Sequence, residues 1–482
     1  MSSVHSGLKS PKDKKMKISI KNQIILEDIK LETEQAVKAR LTMPNPKYDE
    51  AVKMDRWTGN IEPELRFYQQ TDQGLSCPRG AARQICTIAK QHGEKISITD
   101  NRRTMPPVDF QFKGSLRGFQ KRAAYSCLER DFGLLDAPTG AGKTVMAGYM
   151  IEKRKQPALI VVHTKELLNQ WQERVKQFLG INAGIIGGGK MDIRTVTVAM
   201  IQTLVKHAED VAPHFGYLIC DECHRAPAMQ YVSAIAAFDC KYMTGLSATP
   251  YRRDGLSKVI FWHLGDVAGT IDKQALVDNG DLCQAAVTWI ETDFSTSTDA
   301  TTEYSKALSE LAADQERNKL ICRTVAENNG HGISLLLSDR KQHCYDLAVI
   351  LKEMHGIDPH VLTGTTSTGD RQQILDDLHK GRCKYLIATG QLIGEGFDLP
   401  AISSMFLATP VKYHGRLIQY IGRALRPAPG KDQATVFDFV DHRNPVFKAQ
   451  AKSRANTYGK QGISEMVKQK PCQKSGRVLP GA

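Results

Sequence analysis

Short apolar runs alternate with helix-period segments over most of this chain. From residue 109 onward the runs ALIVV, TVTVAM, YLICD and KYMTGL each end at a polar motif or a turn, and segments such as KELLNQWQERVKQFL lie between them. Strands apolar on both faces, separated by amphipathic helices, predict a parallel sheet covered on both sides. The pattern loosens around residues 265–330, where DFSTSTDATTEY reads as a polar loop and Leu308, Leu311, Leu320, Ile321 and Val325 mark a helical stretch. A second alternating section then runs through GISLLLSD, HVLTG, KYLIATG, SSMFLATP and ATVFDFV. Ligands of such sheets sit at the carboxyl ends of the strands, and most of the polar motifs fall there.

The first hundred residues follow a different rhythm. KISIKNQIIL is strand-like, LETEQAVKARLTM reads as a helix stopped by Pro44 and Pro46, and residues 47–72 read as a hairpin with its tip at 56–60. RGAARQICTIAKQH is a second helix, ended by Gly93, and KISITD a last strand. This β-α-β-β-α-β module carries no catalytic signature. Trp57, Arg66, Arg79, Arg83, Arg102 and Arg103 form either a DNA-facing patch or, for the tryptophan, core and, for the arginines, solvated surface. The expected organisation is a basic disordered segment at 1–15, a small α/β module at 16–108, α/β domains at 109–272 and 273–450, and a basic tail at 451–482.

The chain has 482 residues, too many for one core, with ordinary composition for a globular protein: 41% hydrophobic and 24% charged. No apolar run reaches about 18 residues, so no membrane partner is expected. The N-terminal residues lack an apolar run, which predicts no export and a cytoplasmic location, in a prokaryotic or phage-infected cell. The 11 cysteines then read as reduced thiols, and the Cys220–Cys223 pair lacks the second pair a structural zinc needs. Net charge is +13, of which residues 1–25 carry +5 and residues 448–482 carry +7. Basic ends suit contact with a polyanion.

The candidate chemistry starts at FGLLDAPTGAGKTVM, residues 132–146. Strand, small-residue loop and helix follow the phosphate-loop pattern G-x-x-x-x-G-K-[ST], with Ala137 in the first glycine's place. Ala137, Pro138, Thr139, Gly140, Ala141 and Gly142 let backbone amides approach phosphate, Lys143 reaches the β/γ-phosphates, and the Thr144 hydroxyl holds Mg²⁺. In YLICDECH, Asp221 is placed to hold Mg²⁺ and Glu222 to activate water, with His224 closing the motif. Ser247, Ala248 and Thr249 close another strand and are candidates for coupling the acids to the rest of the chain. Gly396 and Asp398 lie in a glycine-flexed loop that can approach a ligand. Gln419, Arg423 and Arg426 lie on QYIGRALR, where two arginines at i, i+3 share a helix face and are candidate arginine fingers.

Taken in order, APTGAGKT, DECH, SATP, ATGQLIGEGFDLP and QYIGRALR resemble motifs I, II, III, V and VI of the superfamily 2 helicases. LRGFQ resembles the family's adenine-reading segment, which implies a base contact for Gln120. VVHTKELLNQW, VAMIQTL and SDRKQHC resemble motifs Ia, Ib/Ic and IV. Within the superfamily the XPB/Ssl2 and phage UvsW branch is the nearest likeness, although Arg252-Arg253-Asp254 stands where XPB carries Arg-Glu-Asp. The module with the Trp57-Thr58-Gly59 segment resembles the small DNA-binding domain of UvsW-like helicases. The resemblance implies two tandem RecA-like parallel-sheet domains behind a small α/β domain, with ATP and Mg²⁺ as cofactors. It implies DNA contacts at Thr164, Thr203, Arg340, Thr363 and Thr389, and 3′-to-5′ movement of a monomer on duplex, forked or branched DNA. A duplex translocase that remodels protein–DNA complexes or serves a partner nuclease without separating strands, a non-enzymatic DNA-binding scaffold and an RNA helicase are the alternatives.

Overall fold

The computed structural model describes residues 15–223, 228–248, 256–278, 282–328, 332–390, 392, 402–411, 417–418, 420–422, 431 and 433–469. Two compact units divide at residues 271 and 272.

The first unit holds two main sheets and a two-stranded pair. The larger has eight strands in the spatial order Lys190–Asp192, Gly184–Gly187, Val196–Met200, Ala158–Val162, Tyr217–Asp221, Tyr242–Ser247, Phe132–Asp136, Val267–Thr270. All neighbours are parallel except the edge hairpin of the first two. Every residue of Ala158–Val162 is buried, as a strand covered on both faces requires. Its core gathers Leu159, Val161, Leu218, Phe215 and Phe238.

The smaller sheet has five strands in the order Gln69–Thr71, Gly74–Pro78, Gln23–Glu27, Met16–Ile20, Ile96–Asp100. The apolar side chains Met16, Ile18, Ile24, Leu26 and Ile85 share one cluster with Val259 and Trp262, which belong to the Ser257–Leu264 helix of the larger domain. The same helix sends Ile260 and Leu264 into the core of the larger sheet, so one helix serves both cores.

Four expectations change here. KISIKNQIIL is two antiparallel strands with a turn at Lys21 and Asn22, not one strand. Pro46 does not stop a helix. It starts one, Pro46–Lys53, because its fixed φ suits the first helical position and the Asn45 side chain accepts from the Lys47 amide at 3.1 Å. The hairpin expected at 47–72 is thus replaced by that helix and by a Glu64–Arg66 strand paired with Thr42–Pro44. The Trp57 and arginine group is also dispersed. Trp57 is 75% exposed, while Arg79 is buried. Arg102 is held by Asp100 and Asp131, and Arg103 by Asp239.

The second unit is a seven-stranded parallel sheet in the order His360–Leu362, Tyr385–Thr389, Ile333–Ser338, Ile402–Leu407, Gln433–Val440, Gln284–Glu291, Ser464–Gln469. The Pro445–Lys460 helix buries Ala451, Arg454 and Tyr458. Arg454 makes a two-pronged pair with Asp438, both bonds 2.7 Å, and Tyr458 donates to the same carboxylate at 2.8 Å. The basic tail expected from residue 451 is therefore folded through residue 469, because these cationic and apolar positions have buried partners. The basic segments at 1–14 and 470–482 lie outside the described residues.

Candidate active site

The Phe132–Asp136 strand runs directly into the phosphate-loop sequence, and the Lys143–Arg154 helix leaves it. Gly140 and Gly142 have φ of +91° and +84°, the left-handed region where a side chain is costly. A Cβ on Gly142 would also stand 2.4 Å from the Gln120 amide nitrogen. The Ala137 amide donates to the Ser247 carbonyl at 2.9 Å, and Ala141 closes a turn on Pro138. The Lys143 ammonium donates to the Ala137 carbonyl at 3.2 Å and stands 3.7 Å from Glu222. Thr139 buries a hydroxyl that has no hydrogen-bond partner among the described residues, and Thr144 is half-buried in the first helical turn.

Two strands away in the same sheet, Tyr217–Asp221 delivers both acids to this edge. Asp221 is buried, and Trp171 donates its indole N–H to it at 2.7 Å. Burial, then the Glu222 charge, push the Asp221 carboxyl up to about 6; the Trp171 bond and Lys143 pull the other way. A buried carboxylate held up by a like neighbour is a site that a cation relieves. Glu222 has φ of +46°, a strained backbone for a residue with a side chain, and its amide donates to Asp221 at 3.0 Å. Asp136, at the mouth of the loop, is also pushed up by burial while Lys143 lowers it.

Trp171 is the residue the sequence reading missed. It lies on the Lys165–Leu179 helix in a stripe with Leu168 and Val175, which reads as core. The available signal is its indole N–H, which needs an acceptor once buried.

Gln120 is buried at the start of the Gly118–Leu128 helix. Its carbonyl accepts from the Arg117 amide at 2.9 Å, and its NH₂ donates to the Ala141 carbonyl at 2.9 Å. In this structure it braces the phosphate loop. Ser247 ends its strand fully buried; the neighbouring Leu246 carbonyl accepts from Cys223, so this strand touches both the loop and the acid segment. Ala248 is half-buried.

The remaining candidates are scattered along the two sheets. Thr164 caps its helix, accepting from Leu167 at 3.3 Å, and Thr203 is half-buried on the Ile201–Val211 helix. In the second unit Arg340 donates to the Ser305 carbonyl and hydroxyl, both at 2.8 Å. Thr363 is buried, its hydroxyl shared with Thr365 and Tyr345. Thr389 ends its strand half-buried. His224, Thr249, Gly396, Asp398, Gln419, Arg423 and Arg426 lie outside the described residues, as do Arg252, Arg253 and Asp254. Tyr420, between Gln419 and Arg423, is buried, and a Cβ on Gly390 would stand 2.2 Å from its hydroxyl.

Comparison with known proteins agrees with this arrangement. Residues 113–252 match the family described as type III restriction enzyme, res subunit, and residues 316–428 match the helicase conserved C-terminal domain. A candidate ATP-dependent RNA helicase, L396 of Acanthamoeba polyphaga mimivirus, is 28% identical over 76% of this chain and 73% of its own. The DNA 3′-5′ translocase XPB2 of Sulfurisphaera tokodaii is 38% identical over 30% of this chain and 33% of its own. In fold, the chain is similar to a fragment of an HsdR subunit of a type I restriction enzyme from Vibrio vulnificus, with a TM-score of 0.57 at 18% identity over 75% of this chain and 69% of that one. The ordered motifs, the two sheets that carry them and the matched domains lead to one conclusion: the chain belongs to the superfamily 2 helicases, enzymes that hydrolyse ATP.

Proposed function

We propose that the chain is an ATP-driven motor on DNA that acts on duplex, forked or branched substrates. The observation that carries the ATP part is the cluster of Lys143, Asp221, Glu222 and Trp171 at one sheet edge. The residues fit a nucleoside triphosphate with Mg²⁺. The loop keeps two left-handed glycines and a buried, unbonded Thr139 hydroxyl, and the paired acids repel one another until a cation joins them. Mg²⁺ would supply charge neutralisation at the phosphates. Lys143 holds the transferred phosphate, Thr144 and Asp221 hold the metal, and Glu222 orients and deprotonates water. Arg423 and Arg426, outside the described residues, are the candidate arginine fingers. Ser247 and its neighbours, bonded to both the loop and the acid segment, transmit the change to the rest of the chain.

DNA is favoured over RNA by the likeness to a translocase named for DNA, and the basic ends suit a polyanion of either kind. Thr164, Thr203, Arg340 and Thr389 touch phosphates, a mode that grips any sequence. The chain works as a monomer in the cytoplasm of a prokaryotic or phage-infected cell. ATP turnover measured with single-stranded, duplex, forked and four-way DNA, and with RNA, tests this. Stimulation by RNA alone would overturn the DNA assignment. The res-subunit match favours a second reading, a duplex translocase serving a nuclease partner. Triplex displacement from plain duplex without fork unwinding would select it.

Two further outcomes are expected. Trp171→Phe removes the N–H that fixes Asp221, and the Mg²⁺ concentration for half-maximal turnover should rise about 10–100-fold, the usual effect of losing a partner behind a metal ligand. An unchanged Mg²⁺ titration would mean Asp221 does not hold the metal. Deleting residues 470–482 removes Lys470, Lys474 and Arg477 while leaving the folded helix and strand intact. The slope of log affinity for DNA against log salt should become shallower by up to about 3, roughly one per lost phosphate contact. An identical slope would show that this end does not touch DNA.

A further inference from the structure

A cleft of about 260 Å³ lies where the small sheet meets the larger domain of the first unit. One wall is the segment carrying Arg66, Phe67, Tyr68 and Gln69. Another is Ile235 and its neighbours, on the Ala228–Ala236 helix that follows the paired acids. Phe67 is propped against Trp262 and His263, with ring centroids 5.2 and 6.0 Å apart. The His263 ring donates from Nδ1 to the Val259 carbonyl at 2.8 Å, and burial lowers its pKa to about 4. It is therefore neutral at pH 7, with Nε2 left as an acceptor.

Arg79 also lines this cleft, and it is the unusual member. It is 2% exposed. One terminal nitrogen donates to the Cys240 carbonyl at 2.7 Å, and the other faces only the sulfurs of Cys240 and Met243, at 4.0 and 3.6 Å. It makes no ion pair among the described residues. Asp239, whose charge it feels, is bound to Arg103 at 2.6 Å. A buried cation without a carboxylate is costly, and an anionic or acceptor-rich ligand relieves that cost. No Asp or Glu lines the cleft among the described residues; Arg66 stands at it with 65% of its side chain exposed, paired at 3.7 Å with Glu64 in an exposed, solvent-screened contact that a ligand can replace.

We propose that this cleft binds a single nucleotide unit, its ring against Phe67 and Tyr68 and its acceptor edge or phosphate against Arg79 and Arg66. The volume lies just under the range of about 300–1,000 Å³ usual for small-molecule pockets, which limits the occupant to one ring system. Aromatic faces accept any base, and guanidinium groups suit base carbonyls and phosphate alike. The oligonucleotide form of this ligand rests on the DNA reading above; a free nucleotide does not.

The test uses the full chain with its ATP site saturated by Mg-ADP. The probes are a single-stranded deoxyoligonucleotide containing 2-aminopurine and the free 2-aminopurine deoxyriboside monophosphate. Saturable quenching is expected with at least one probe. Tyr68→Ala should weaken it about tenfold, within the range for one lost base–aromatic stack, while Tyr68→Phe retains it. Quenching by the oligonucleotide alone assigns the site to a base of the strand; equal quenching by the free nucleotide assigns it to a small effector. Quenching by neither probe, or quenching indifferent to Tyr68→Ala, overturns the proposal and leaves Arg79 as an internal clamp. DNA-stimulated ATP turnover, measured in parallel, separates the two readings. Its absence defeats the motor assignment; its presence without Tyr68-dependent quenching defeats this one alone.

Discussion

Lys143→Ala should lower ATP turnover by at least about a hundredfold, the scale of losing one preorganised charge donor at a reacting centre. Its ammonium is the cationic group lodged between the loop carbonyl of Ala137 and the carboxylate of Glu222. Alanine leaves the loop backbone free to keep its shape, since Gly140, Gly142 and the Ala137–Ser247 bond are untouched. DNA affinity measured without nucleotide should stay within about twofold, because charge-driven binding draws on phosphate contacts elsewhere. Undiminished turnover would defeat the assignment of this loop as the ATP site.

Arg317→Ala should destabilise the second unit by about 3–5 kcal/mol, the cost of leaving one partner of a buried ion pair uncompensated. Arg317 Nε donates to Asp441 at 2.6 Å and Nη2 at 3.2 Å, and Nη1 donates to the Ala408 carbonyl at 2.6 Å. Both side chains are essentially inaccessible, at 1% and 0% exposure. Asp441 keeps only the Thr292 hydroxyl, at 2.6 Å, among these side-chain bonds. Urea unfolding of the whole chain, followed by a probe in the second unit, reads the effect. Arg317→Met combined with Asp441→Asn should recover part of the loss, since no bare charge then remains buried. A single substitution without effect would mean that water reaches Asp441.

The central strands were legible because burial on both faces leaves an unbroken apolar run, as in Ala158–Val162 and Ile333–Ser338. The phosphate loop was legible because its geometry restricts residue choice: only glycine sits easily at φ near +90°. What composition concealed was partnership. Residues 451–460 look like a solvated basic stretch until Asp438 is known to lie beneath Arg454 and Tyr458. The bond from Trp171 to Asp221 spans 50 residues, and no local period encodes it. Arg79 read as surface because arginine usually is; only the packed structure reveals its burial. Pro46 was ambiguous in itself, since the same fixed φ ends one helix and begins another, and the Asn45 cap decides.

The Ser257–Leu264 helix belongs by sequence to the larger domain of the first unit, yet Val259 and Trp262 complete the core of the smaller sheet. The leading module is consequently not portable. Residues 16–108 cut out alone would leave Ile18, Ile24 and Ile85 without part of their cover, and residues 109–482 alone would strip the cover from Trp262. Any graft, swap or circular rearrangement of these domains has to carry that helix with the front sheet. Sequence divergence in the module is likewise constrained by a segment more than 150 residues away in the chain.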